Sequence, residues 1–97
     1  MVLTVVAACI MSVGVAVPAS ALSCDGTAQK AATWTLAHAG TCSAAQARID
    51  RFSGSAVYSH YGSQAKTSFV EATYGQNAGN YYRILHNGQW YGWQWVS

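Results

Sequence analysis

Asn87-Gly88 stands between two aromatic-rich runs, residues 80–86 and 89–96, and that dipeptide constrains the chain more than any other feature. A two-residue type I′ turn needs positive φ at both central positions, which Asn-Gly supplies at least cost. So short a loop also fixes which residues sit opposite each other. His86 faces Gln89, Leu85 faces Trp90, Ile84 faces Tyr91, Arg83 faces Gly92, Tyr82 faces Trp93 and Tyr81 faces Gln94. Strand alternation then sorts the pairs. One face carries Tyr82, Ile84, Tyr91, Trp93 and, at its end, Trp95, an apolar surface expected to enter the core. The other carries Tyr81, Arg83, Leu85, Trp90, Gly92 and Gln94. Tyr81, Arg83, Leu85 and Trp90 are the candidate binding residues, because an exposed Trp/Tyr/Arg patch has the composition of binding hot spots. Two other arrangements compete: a loop or the cysteine-bearing segment covers this face, or a bulge at Gly92 changes the register of Trp93 and Trp95.

The other end of the chain is of a different texture. Sixteen of residues 1–21 are apolar, none is charged, and the stretch closes on Ala19-Ser20-Ala21. That pattern predicts a signal peptide over 1–21, cleaved after Ala21. A membrane anchor is the competing reading, but the apolar stretch up to Val17 is shorter than the roughly 20 residues that span a bilayer. No Lys or Arg precedes it, so either the true start lies upstream of Met1 or the signal is atypical. The mature secreted domain is then 22–97, too short for more than one core, and a domain that small is expected to need a covalent staple.

Removing the leader removes Cys9 and leaves Cys24 and Cys42, an even pair in an oxidising compartment, expected to form one disulfide. Closing a loop of about 19 residues is worth roughly 3 kcal/mol in the chain-entropy model. The competing roles are a lipidated Cys24, for which the third position upstream, Ala21, lacks the usual large aliphatic side chain, and a catalytic cysteine paired with His38, His60 or His86.

Between Cys42 and Gly54 the spacing predicts a helix over 44–53. Ser43 and Gln46 are placed as a capping box, Ala45, Ile49 and Phe52 recur at helical spacing, and Gly54 supplies a left-handed stop. Residues 29–38 suit a helix through Ala28, Ala31 and Ala32 and a strand through the alternation Thr33-Trp34-Thr35-Leu36, with a strand near 32–38 favoured, and residues 56–61 and 66–74 have β texture. With few Leu, Ile and Val, the 12 aromatic residues are expected to furnish most of the core. The expected fold is α+β: one disulfide-tethered helix packed on an antiparallel sheet of three to five strands that ends in the Asn-Gly hairpin.

Charge excludes several classes of function. Five Lys and Arg against three Asp and Glu, 8% charged residues in all, are too few and too scattered for a nucleic-acid binder. No catalytic motif, cofactor loop or metal-ligand spacing occurs, so no enzyme, cofactor or metal is expected, and after signal cleavage no membrane association. Exposed Trp90 and Tyr81 suit a secreted protein partner or a cell-wall glycan equally well.

Four resemblances add to this. Residues 42–51, Cys-Ser-Ala-Ala-Gln-Ala-Arg-Ile-Asp-Arg, followed by a Gly/Tyr-rich region and a terminal Asn-Gly-x-Trp-x-x-Trp, resemble small secreted actinobacterial proteins with one disulfide, which carry no catalytic motif to transfer. Tyr82-Arg83-Ile84 with residues 87–93 resembles the last hairpin of bacterial SH3-like cell-wall modules, which implies peptidoglycan or peptide binding. Residues 57–61, Val-Tyr-Ser-His-Tyr, with Lys66-Thr67-Ser68 are similar to part of the lactococcin 972-like bacteriocins, a family without a disulfide-tied helix; that implies a secreted effector acting on sensitive cells. The order Glu71, Arg83, His86 is similar to that of the Glu base, Arg and His acid of small secreted ribonucleases. In the expected register, however, Arg83 and His86 lie on opposite faces of one strand. The sequence therefore favours a secreted, non-enzymatic binding or adaptor module, including a subunit of a toxin assembly, over an autonomous antibacterial effector.

Overall fold

The computed structural model describes residues 23–97, and its regular structure there is β-strand alone: β1 Thr27–Lys30, β2 Trp34–His38, β3 Ala44–Ser53, β4 Ala56–Tyr61, β5 Thr67–Glu71, β6 Gln76–His86, β7 Gln89–Trp90 and β8 Gln94–Trp95. The predicted leader lies outside the described residues. All strand pairs are antiparallel. One sheet has the order β1-β2-β5, the other β4-β3-β6, with β7 and β8 both paired along β6.

The α+β expectation is thereby overturned. Residues 44–53 are not a helix but β3, the strand between β4 and β6. Their pattern also has a period of two, and that period decides: Ala45, Ala47 and Ile49 are fully buried on one face, with Gln46, Arg48 and Asp50 on the other. Phe52, the third residue of the expected helical stripe, is exposed. The anticipated capping box is not formed. The Ser43 N–H donates to the Leu85 carbonyl, and Gln46 Nε2 donates to the Gly62 carbonyl. Gly54, with φ of +64°, is the first of two residues turning β3 into β4, the position where a type II′ hairpin takes glycine.

What holds residues 44–53 as a strand is the sheet facing them. Thr35, Ala37, Ser68 and Val70 of β2 and β5 are buried against Ala45, Ala47, Ile49 and Ile84. Side chains this small let the sheets approach closely, so strand backbone comes within reach of polar groups opposite. Thr35 Oγ1 donates to the Arg48 carbonyl at 3.0 Å, and the Ala47 N–H donates to Ser68 Oγ at 2.9 Å. Asn80 Nδ2 on β6 reaches the Trp34 carbonyl and Thr35 Oγ1 at 2.9 and 2.8 Å. The expected aromatic core is likewise corrected: all 12 aromatic residues are described, and none is buried. An alanine-lined interior has no room for the rings.

The Cys24–Cys42 disulfide forms as expected and ties the segment before β1 to the turn between β2 and β3, not to a helix. Cys24 is thus neither lipid-bearing nor a free thiol here. The strand expected near 32–38 is β2, and the two β-textured stretches hold β4 and β5.

Candidate functional site

The Asn-Gly hairpin forms with positive φ at both residues, 53° at Asn87 and 76° at Gly88. The expected register holds for its first rungs: His86 pairs with Gln89, Leu85 with Trp90, and the Tyr91 N–H donates to the Ile84 carbonyl. It then slips. Tyr82 pairs with Gln94 and Tyr81 with Trp95, one residue out of step with the turn. The extra residue falls at Gly92-Trp93, opposite Arg83, so the returning strand bulges there. A slip of one residue exchanges faces. Trp93, expected in the core with Tyr82, Ile84 and Tyr91, lies instead on the outer face, and Trp95 is 66% exposed.

The outer face of this sheet consequently gathers more rings than the hairpin alone could supply. Tyr61, Arg48, Tyr81 and Trp95 form one row across β4, β3, β6 and β8. The Arg48 guanidinium carbon stands 4.6 Å from the Tyr81 ring centre, 5.3 Å from Trp93 and 6.0 Å from Tyr61. Arg83 is held between Trp90 at 4.4 Å and Trp93 at 4.9 Å. Trp93 therefore bridges the two cations, and Tyr61 packs on it with ring centres 5.7 Å apart. Trp95 packs on Tyr81 at 4.7 Å. Guanidinium groups held over ring faces gain about 0.5–1 kcal/mol per contact at exposed sites.

Hydrogen bonds fix both arginines in place. Arg83 Nε donates to Gln46 Oε1 at 2.9 Å, and Gln46 is itself anchored through Nε2 to Gly62. Arg48 meets Asp50 side-on, Nε to Oδ1 at 2.9 Å and Nη2 to Oδ2 at 2.8 Å, the only ion pair among the described residues. Burial alone would raise the Asp50 pKa, but hydrogen bonds from Arg48 and Ser59 outweigh it and hold the carboxyl below its ordinary value. The Arg48 guanidinium, bonded to Asp50, is correspondingly raised.

A carboxyl depressed on folding contributes stability that is fully present above its unfolded pKa and is lost as pH falls through the lower folded one. Acid titration of the folded protein should therefore show a loss of stability below about pH 4 that is largely absent in Asp50→Asn. Chemical denaturation at stepped pH measures this, and an equally steep acid limb in the variant would show that Asp50 is not its source.

Of the four candidates read from sequence, Arg83 and Trp90 are in direct contact, Tyr81 sits against Arg48 rather than Arg83, and Leu85 pairs with Trp90 at the turn end of the same face. Arg48 and Tyr61 escaped the sequence reading, and Trp93 and Trp95 were reached only through its competing arrangement, the bulge at Gly92, which is the one the register shows. Gly92 facing an arginine was the available signal for the last two, and the period of two in Gln46, Arg48 and Asp50 for the first. Glu71 lies on β5 of the other sheet, paired with Trp34 on that sheet's own outer face, so it does not converge with Arg83 and His86. Among the described residues no three His, Cys, Asp or Glu side chains gather as a metal site, and no helix is long and apolar enough to cross a membrane.

No family model, curated protein or solved structure matches this chain.

Proposed function

We propose that the chain is a secreted, non-enzymatic binding module that holds another secreted protein on the outer face of its β4-β3-β6 sheet, as an adaptor or as one subunit of a larger toxin assembly. The observation carrying this reading is the pair of arginines fixed between Tyr81, Trp93 and Trp90. Trp, Tyr and Arg dominate binding hot spots, and here each is immobilised before any partner arrives, which lowers the entropic cost of association. A glycan is served less well. Sugar rings stack on open aromatic faces, whereas guanidinium groups already stand over Trp90, Trp93, Tyr81 and Tyr61, leaving Trp95 as the open ring of the group. Arg48 is neutralised by Asp50 while Arg83 is bonded to neutral Gln46, so the complementary surface is apolar with an acidic group facing Arg83. The disulfide supports secretion, since such bonds persist in oxidising compartments.

The test compares immobilised wild type with Trp93→Ala, challenged with the culture supernatant and with the insoluble cell wall of the producing cells. Trp93→Ala should weaken capture of a secreted protein by about 30-fold, roughly 2 kcal/mol, with little loss of stability, because the ring lies outside the core. Retention on cell wall alone would replace the protein partner by a glycan.

A second reading gains from the fold. What set the chain apart from the lactococcin 972-like bacteriocins was the expected disulfide-tied helix, and that helix is absent from the described residues. Growth inhibition of sensitive cells by the purified protein, unaffected by Glu71→Gln, would favour this effector over both adaptor and ribonuclease.

A further inference from the structure

Sheet edges are the places where a small β protein meets another chain, and natural sheets blunt them with charge, proline, bulges or brevity. Three of the four edges here are treated in that way. β1 is four residues long and ends in Lys30. β5 ends in Glu71, with Lys66 just before it. The β7/β8 edge consists of two-residue strands interrupted by the bulge. β4 is the exception. Its six residues, Ala-Val-Tyr-Ser-His-Tyr, include no Lys, Arg, Asp, Glu, Pro or Gly, and among the described residues no strand lies beyond it. Val57, Tyr58 and Tyr61 are each at least half exposed.

The register shows which backbone groups this edge presents. Ser53 and Ala56 close the two-residue turn, so Ala56, Tyr58 and His60 direct their N–H and C=O towards β3, a pattern continued by the Gly62 N–H donating to the Ala47 carbonyl. Val57, Ser59 and Tyr61 direct theirs outwards.

We propose that the protein is a two-fold dimer in which β4 pairs antiparallel with β4 of a second copy, centred on Ser59. The segment is self-complementary about that residue. Ser59 meets Ser59 of the partner subunit, small against small, Val57 meets Tyr61 of the partner subunit on the outer face, and Tyr58 meets His60 of the partner subunit on the other, with no like charges opposed. The outward N–H and C=O groups of residues 57, 59 and 61 fall in register as hydrogen-bonded pairs. The two-fold consumes both open edges and closes the assembly at two, where an unsatisfied edge would keep adding chains. Because paired residues share a face, the two ring-and-arginine faces become one surface. Given the binding role proposed above, that makes the dimer bivalent, with avidity beyond either site alone.

Sedimentation equilibrium of the purified protein at micromolar and higher concentrations should give twice the chain mass, with the amides of residues 57, 59 and 61 slow to exchange. Ser59→Lys sets two like charges directly opposite each other, and Val57→Pro removes an outward N–H that β3 does not use. Each should give a folded monomer in which those amides exchange fast, while Trp93→Ala remains a dimer although it loses the partner. A wild-type monomer, a Ser59→Lys and Val57→Pro pair that both remain dimeric, or open-ended association would each overturn the proposal. Dimer and partner binding are thus lost by different substitutions, so either can fail without the other.

Discussion

Arg51→Met is expected to lower the unfolding free energy by about 3–4 kcal/mol, a large part of what a small domain has. Arg51 is 4% exposed and has no carboxylate beside it; its guanidinium is spent entirely on backbone. Nη1 donates to the Ala32 carbonyl at 2.6 Å, Nε to Tyr74 at 2.8 Å and Nη2 to Gly75 at 3.2 Å. One side chain at the far end of β3 therefore satisfies the turn before β2 and the turn before β6 together. Hydrogen bonds to a charged group contribute about 1.5–3 kcal/mol each, and burial of an unpaired cation offsets several kcal/mol of that sum. Methionine fills a similar volume but takes the Arg51 donors from the Tyr74 and Gly75 carbonyls and leaves the Ala32 carbonyl to Asn77 Nδ2 alone. Arg51→Lys keeps the charge without the planar fork, so it should recover part of the loss. In urea the midpoint should fall with the slope unchanged, and a midpoint within error of wild type would mean that the turns find water instead.

That arginine also shows why part of the fold could be read from sequence and part could not. The hairpin, the cystine and strand β2 rest on local or covalent constraints: two residues with positive φ, the Cys24–Cys42 pair, a β-branched alternation around Trp34. Residues 44–53 lacked such a constraint. Ala45, Ile49 and Phe52 fit a helix, Ala45, Ala47 and Ile49 fit a strand, and alanine satisfies both. What decides is a second sheet, lined by Thr35, Ala37 and Ser68, whose approach depends on residues 10 to 30 positions away. The expectation of an aromatic core failed for the same reason, because counting apolar residues cannot say that the smallest of them will take the interior. In the candidate site the local hairpin delivered Arg83 beside Trp90, but one extra residue at Gly92-Trp93 moved Trp93 across the sheet, and the misassigned β3 hid Arg48. The site is denser than its sequence because two strands contribute cations and four contribute rings.

A core in which Ile49 and Ile84 are the only large apolar side chains fully buried among the described residues gains little from apolar burial, and covalent closure should matter correspondingly. Replacing Cys24 and Cys42 together by alanine is expected to cost roughly 3 kcal/mol, the loop-closure entropy returned to the unfolded chain over a sequence separation of 18. The loss should not stop at global stability. Cys42 is almost wholly buried beside the start of β3, whereas the Cys24 side of the bridge holds a segment otherwise anchored by the Asp25 N–H donating to Thr41 Oγ1 at 2.7 Å and by the hydrogen bond between Ser23 Oγ and His86 Nε2 at 3.2 Å. Without the bridge, hydrogen exchange should accelerate in β1 well before β3 and β6, which pair along nearly their whole length. Wild type under reducing conditions should match the double variant in denaturation midpoint. Equal stability of the oxidised and reduced forms would instead assign the cohesion to the polar links between the sheets, with Arg51 foremost, and would make the disulfide a consequence of where the chain folds rather than a condition for its folding.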